Sequence, residues 1–209
     1  MLSEVFKLFW KTVEMKDARR INSQTPPTEI EQFCDIQYID DGLWQHRLDV
    51  YSKSGKLSHR PVIIDIHGGG WMYGTKEINK NYCLVLAQND YVVVNINYRL
   101  APDFSVADQL RDCFFAFKWV STNIEKYGGD LNDVFVTGDS AGGFLAAYSA
   151  LLNSSDKLRK VFGVTESGLE FRACGLTSPV CFMNTHTFQD VYYSRVKGKE
   201  FSESTLRGF

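Results

Sequence analysis

The feature that most restricts the fold is the stretch 134–148, VFVTGDSAGGFLAAY, which reads as a short apolar strand, a turn bracketed by glycines and an apolar helix. In this turn Gly138 and Gly142 flank Ser140 in the pattern Gly-x-Ser-x-Gly. Glycines leave room for the neighbouring backbone, and the N-terminus of the following helix favours developing negative charge. The pattern and its context predict that Ser140 is a nucleophile at a strand-to-helix turn.

The rest of the chain alternates between the periods of strands and helices. Compact apolar runs at 61–66, 91–96, 133–137 and 172–178 predict strands, whereas 106–124 carries apolar residues at the 3.6-residue spacing of a long helix. Ile78, Tyr82, Val85 and Leu86 share one face of a further predicted helix. Strands that alternate with helices predict a mostly parallel sheet with helices on both faces, and 33–39 with 47–51 predicts an antiparallel pair at its edge.

Composition limits the possible partners and the compartment. The net charge of −2 argues against nucleic acid and against an anionic membrane surface, and no stretch approaches the ~20 apolar residues of a membrane span. An odd number of cysteines, five, without metal-ligand spacing indicates reduced thiols and a cytoplasmic protein. A breaker cluster at 24–28 divides the chain into an N-terminal helical segment, 1–30, and a core, 31–209.

A second glycine-rich element directly follows the predicted strand 61–66. His67 precedes three glycines and a tryptophan, and such a loop can turn its N–H groups toward a ligand. In an acyl-transfer enzyme these groups would bind the oxyanion of the tetrahedral intermediate. A flexible turn or a phosphate-binding loop are the alternatives, although the lysine and Ser/Thr of a Walker motif are absent. We interpret His67 as a hydrogen-bond donor that orders the loop.

Four motifs in this order, HGGGW, YRLAP, YGGD and GDSAGG, resemble those of the hormone-sensitive-lipase-like branch of the α/β-hydrolases, which are carboxylesterases and lipases. The resemblance implies that Ser140 is the nucleophile and that the N–H groups of Gly69, Gly70 and Ala141 form the oxyanion hole. It also implies that the N-terminal helix belongs to a cap. His67, Gly68, Gly138, Asp139 and Gly142 support the two motifs, and we expect a structural or pocket-lining role for Asp139.

The triad of this fold follows the order Ser, Asp/Glu, His, and each strand–helix–strand unit takes about 30 residues. The histidine should therefore lie roughly 90 or more residues after Ser140, beyond Phe209. The expected protein is a longer hydrolase whose last two strands are missing from this chain. A rearranged triad of His186 and Asp190 is the alternative.

The sequence thus predicts an α/β-hydrolase that cleaves short acyl esters through an acyl-enzyme on Ser140, with a small-molecule ester as its partner and with no metal or organic cofactor. A related amidase or formamidase, and a non-catalytic binding module of the same fold, remain as alternatives. The exposed edge of an incomplete sheet would favour self-association.

Overall fold

The computed structural model describes residues 2–55, 59–181, 196 and 201, with side chains from residue 8 onward. The described part contains six strands, β1 Ile30–Gln37, β2 Arg47–Lys53, β3 Arg60–Ile66, β4 Val92–Ile96, β5 Gly129–Asp139 and β6 Phe171–Thr177. Its α-helices are α1 Leu2–Asn22, α2 Lys80–Gln88, α3 Val106–Asn123, α4 Ala141–Asn153 and α5 Asp156–Phe162. Two 3₁₀ turns cover Lys76–Ile78 and Ile124–Tyr127.

The six strands form one sheet in the order β1-β2-β4-β3-β5-β6. The β1–β2 and β2–β4 pairs are antiparallel, whereas β3 pairs in parallel with β4 and β5, and β5 pairs in parallel with β6. Parallel strands require crossover connections, and α2, α3 and α4 lie in those connections. The predicted mostly parallel sheet with an antiparallel edge pair is confirmed.

Helices cover both faces of this sheet. On one face α3 and α4 bury an apolar core against β3, β4 and β5, and the positions predicted from the spacing of α3 are buried. On the other face α2 buries Cys83, Leu84 and Ala87 against Tyr51 and Val93. No helix in the described part of the chain is long and apolar enough to cross a membrane.

Two local predictions differ from the structure. The face predicted for α2 is wrong, because Tyr82 and Val85 are about half exposed and Ile78 lies in the preceding 3₁₀ turn. This short helix has apolar residues on two sides, and the side that packs against the sheet carries Cys83, Leu84 and Ala87. Strand β1 begins at Ile30, earlier than predicted, and its register shifts between Phe33 and Ile36. Asp35 in this bulge has φ +57°, a left-handed conformation that interrupts the alternation of side chains.

Candidate active site

Ser140 sits at the junction of β5 and α4 in a strained backbone conformation. Its φ of 50° and ψ of −114° are rare for a residue with a side chain. It is the N-cap residue of α4, yet its hydroxyl makes no capping hydrogen bond. Its backbone is fixed from the next strand, because Ser140 N donates to Thr177 O at 3.0 Å and Val180 N donates to Ser140 O at 3.1 Å. The turn therefore presents the hydroxyl from a rigid backbone.

The two glycines around Ser140 are required by close backbone contacts. A Cβ at Gly142 would lie 2.0 Å from Ile66 O and 2.5 Å from His67 O, at the end of β3. A Cβ at Gly138 would lie 2.5 Å from the carbonyl carbon and oxygen of Gly142. These separations are too short for any side chain, so the spacing found in the sequence lets the start of α4 pack directly against the end of β3.

The glycine loop after β3 also depends on conformations that side chains avoid. Gly69 and Gly70 have φ of +122° and +57°, and a Cβ at Gly69 would lie 2.0 Å from Tyr73 O. The loop closes on itself, because Met72 N and Tyr73 N both donate to Gly69 O at 3.2 and 3.0 Å. Since its carbonyl is used inside the turn, Gly69 is held in a defined orientation.

His67 is fully buried and stacks on Tyr98, with ring centroids 4.4 Å apart. Its Nδ1 lies 2.7 Å from Gly68 O, and because a carbonyl can only accept, Nδ1 carries the proton. Burial lowers the pKa of His67 to about 4, so the ring is neutral at pH 7. Tyr98 in turn donates its hydroxyl to His67 O at 2.8 Å. This geometry orders the loop and leaves no ring atom exposed to a substrate.

The side chain of Asp139 points back toward the glycine loop. Its Oδ1 accepts the Gly68 N–H at 2.9 Å and a second hydrogen bond from Asn79 Nδ2 at 2.9 Å. Asn79 Nδ2 also donates to Asp65 Oδ2 at 2.9 Å. Burial raises the pKa of Asp65 to about 7; the hydrogen bond from Asn79 opposes this shift, and the charge of Asp139 adds to it. Asp139 therefore joins the turn at Ser140 to the glycine loop.

The YRLAP segment supports the far end of the glycine loop. Trp71 has φ +64°, and its carbonyl accepts from Ala101 N at 2.8 Å and from the buried Gln109 Nε2 at 2.9 Å. The segment itself is anchored to α3, because Arg99 Nη2 lies 2.6 Å from Oδ1 of the fully buried Asp112. A buried charge needs such a partner.

Helix α1 lies against the same loop. The Trp10 ring stacks on Tyr73 with centroids 5.3 Å apart, and the Tyr73 hydroxyl donates to Asp17 Oδ2 at 3.3 Å. Arg20 Nη2 donates to Ile78 O at 3.2 Å. The N-terminal segment therefore contacts the core next to the candidate site.

The structure brings together the residues of HGGGW, YRLAP and GDSAGG, whereas YGGD lies at the start of β5, at the opposite end of the sheet. His186 and Asp190 lie outside the described residues. Sequence reasoning missed three polar partners of the site, Asn79, Gln109 and Thr177. One signal was present, since Asp65 is an acidic residue within the otherwise apolar run 61–66.

Comparison with known proteins identifies the family of this chain. A family model described as BD-FAE matches residues 48–186, more than half of the chain. The chain belongs to this family. Esterase B from Lactobacillus rhamnosis superposes on 99% of this chain and 67% of its own with a TM-score of 0.90 and 31% identity. The predicted α/β-hydrolase fold and the resemblance to hormone-sensitive-lipase-like carboxylesterases are confirmed.

Relatives with known names are esterases. Carboxylesterase NlhH of Mycobacterium tuberculosis is 32% identical over 145 residues, 67% of this chain and 45% of that protein. Versiconal hemiacetal acetate esterase of Dothistroma septosporum is 36% identical over 112 residues, 53% of this chain and 33% of that protein. The chain thus spans less than half of the length of these curated relatives.

Proposed function

We propose that this chain carries the nucleophile and the oxyanion hole of a carboxylic-ester hydrolase. The observation that carries the proposal is the strained conformation of Ser140, with φ 50°, at the N-cap of α4 and directly against the glycine loop. Backbone strain of this kind persists where the surrounding structure fixes it, and it clusters at active sites. The esterase names of the relatives support the same class of reaction.

In the proposed reaction the Ser140 hydroxyl attacks the ester carbonyl while a general base accepts its proton. The N–H groups of Gly69, Gly70 and Ala141 stabilise the oxyanion of the tetrahedral intermediate. Ala141 is the first residue of α4, where an N–H has no acceptor within the helix. The alcohol leaves with the proton, and water then hydrolyses the acyl-enzyme to release the acid and regenerate the serine.

We infer that the base and its orienting acid come from residues outside the described ranges. His67 cannot serve, because its ring is buried and stacked on Tyr98. The order of the triad in this fold, Ser, Asp/Glu, His, favours a histidine after Phe209. The rearranged pair of His186 and Asp190 is the other source.

We infer further that the substrate is a short acyl ester, and that segment 1–30 acts as a cap. The contact between Trp10 and Tyr73 supports the assignment of a cap, because it places α1 on the loop that follows Gly69 and Gly70.

We also infer a reducing compartment such as the cytoplasm, because all five cysteines are free thiols.

The test uses the full-length protein, which would include the base inferred above: hydrolysis of 4-nitrophenyl butyrate by the wild type, S140A and S154A is measured together with labelling by a fluorophosphonate. Ser154 is an exposed serine at the end of the same helix, so S154A should keep both activities. S140A should lose the label and at least about 1,000-fold in kcat. An S140A variant that keeps its esterase rate would refute the assignment. A folded wild type with neither activity would favour the non-catalytic module. Faster cleavage of the matched 4-nitroanilide would favour an amidase.

A further inference from the structure

Three polar side chains form a bridge beneath the glycine loop, and Asn79 is its centre. Its single amide nitrogen reaches carboxylates on two different strands, Asp65 of β3 and Asp139 of β5, each at 2.9 Å. Asp65 is 1% exposed. One amide donor thus links the carboxyl groups of two neighbouring strands.

The position of Asn79 in the chain indicates that the main role of its side chain is to bind the two carboxyl groups. Asn79 is the N-cap residue of α2, where an asparagine side chain ordinarily accepts a hydrogen bond from the first turn of the helix. It makes no such bond here. Ser105 and Ser155, at the N-caps of α3 and α5, both do. The Asn79 side chain therefore forgoes the capping bond while it donates toward the nucleophile turn.

The hydrogen bonds of Asn79 are connected to the glycine loop through Asp139. The oxygen of Asp139 that accepts from Asn79, Oδ1, is the same oxygen that accepts the Gly68 N–H at 2.9 Å. The fit is tight, because a Cβ at Gly68 would lie 2.3 Å from Asp139 Oδ2. A rotation of the Asp139 carboxylate would therefore either break the hydrogen bond to Gly68 or push Gly68 away. Gly68 immediately precedes the two residues whose N–H groups form the proposed oxyanion hole.

We propose that Asn79 is a positioning residue, which holds the Asp139 carboxylate and through it the orientation of the loop Gly68–Gly70. The inference rests on the proposed function for its catalytic consequence, whereas its structural part concerns the loop alone. The hydrogen bonds of the Asn79 side chain go to Asp65 and Asp139, so its proposed effect on the loop passes through Asp139.

Two substitutions separate positioning from helix capping. N79D keeps the shape of the side chain but replaces the amide donor with a carboxyl group between two others. N79S shortens the side chain and supplies a residue that caps helices as well as asparagine does. If Asn79 only served the start of α2, N79S would behave like the wild type. The matched control is N89D, which adds the same charge to the exposed C-terminal end of α2.

The first readout is hydrogen–deuterium exchange of the peptide that covers residues 67–74, which requires no catalytic activity. Loss of a hydrogen bond that holds the loop should speed exchange in N79D and N79S by about ten-fold, with N89D unchanged. The second is steady-state hydrolysis of 4-nitrophenyl butyrate. A misplaced oxyanion loop should lower kcat by roughly ten- to a hundred-fold and leave KM within about two-fold of the wild type.

The two readouts keep this proposal and the proposed function apart. Faster exchange in both variants supports positioning even if the wild type hydrolyses no ester, in which case only the proposed function fails. Unchanged exchange in folded N79D and N79S overturns the proposal, whatever the esterase rate. An equal rise in N89D would also overturn it, because the cause would then be added charge on α2.

Discussion

Substitution of the buried carboxyl of Asp65 by an amide should make the stability of the protein less dependent on pH. Asp65 is 1% exposed in the middle of the sheet. Burial raises its pKa from 3.8 to about 7, while the hydrogen bond from Asn79 opposes that shift. The folded state therefore holds a proton at Asp65 that the unfolded chain has released between these two values.

The direction of the pH dependence follows from the difference between the folded and the unfolded pKa of Asp65. Because the folded pKa lies above the unfolded one, Asp65 favours the fold fully below pH 3.8, and this contribution is lost as the pH rises through 7. A shift of about three pKa units corresponds to about 4 kcal/mol. D65N is neutral at every pH and keeps an oxygen that can accept from Asn79. The free energy of unfolding of D65N minus that of the wild type should therefore grow by about 3 kcal/mol from pH 4.5 to pH 7.5.

The measurement is urea unfolding of both proteins at several pH values between 4.5 and 7.5. The slope of the difference is diagnostic, because His67 and other titrating groups contribute equally to both proteins. D103N serves as the control for the loss of a carboxyl group at an exposed position. A flat difference for D65N would refute the reasoning and show that Asp65 is ionised in the fold at low pH.

Two further predictions concern packing and the sheet edge. G142A should lower the free energy of unfolding by about 3 kcal/mol, because the new Cβ would lie 2.0 Å from Ile66 O. G42A at φ +78° in open space should cost only about 1 kcal/mol, and equal losses in urea unfolding would contradict the contact argument. We also propose self-association through β6, which pairs only with β5 among the described strands and exposes 45% of Leu176. L176K should shift sedimentation toward the monomer; V85K, at a similarly exposed position on α2, should not, and an equal shift would exclude the edge as the cause.

The hydrophobic periodicity of the sequence predicts most of the strands and helices but few local details of the fold. The long amphipathic pattern of α3 predicts its buried face, since apolar residues recur at helical spacing along the whole helix and these residues lie on one side. The short α2 has apolar residues on two sides, and only the sheet decides that Leu84 is buried and Val85 is not. The bulge at Asp35 depends on a single left-handed residue, which leaves no periodic signal.

In the candidate site, too, the sequence predicts some residues and only the fold reveals others. Gly138, Gly142 and Gly68 can be read from the sequence, because backbone contacts admit no other residue there. Asn79, by contrast, contributes one amide donor, and several residue types at several positions could supply such a donor. Only the fold shows that its nitrogen lies 2.9 Å from both Asp65 and Asp139.

The two glycine motifs are best understood as one structural unit. Gly142 at the start of α4 can approach Ile66 O only because it has no side chain, and this contact brings Asp139 within 2.9 Å of Gly68 N. A residue with a side chain at either position would separate the nucleophile turn from the glycine loop. Ester hydrolysis requires the attacking hydroxyl and the oxyanion donors to face the same carbonyl group. The glycines allow the close approach and the carboxylate of Asp139 holds Gly68. Under the proposed function, a change in either should therefore lower the esterase rate even with Ser140 intact.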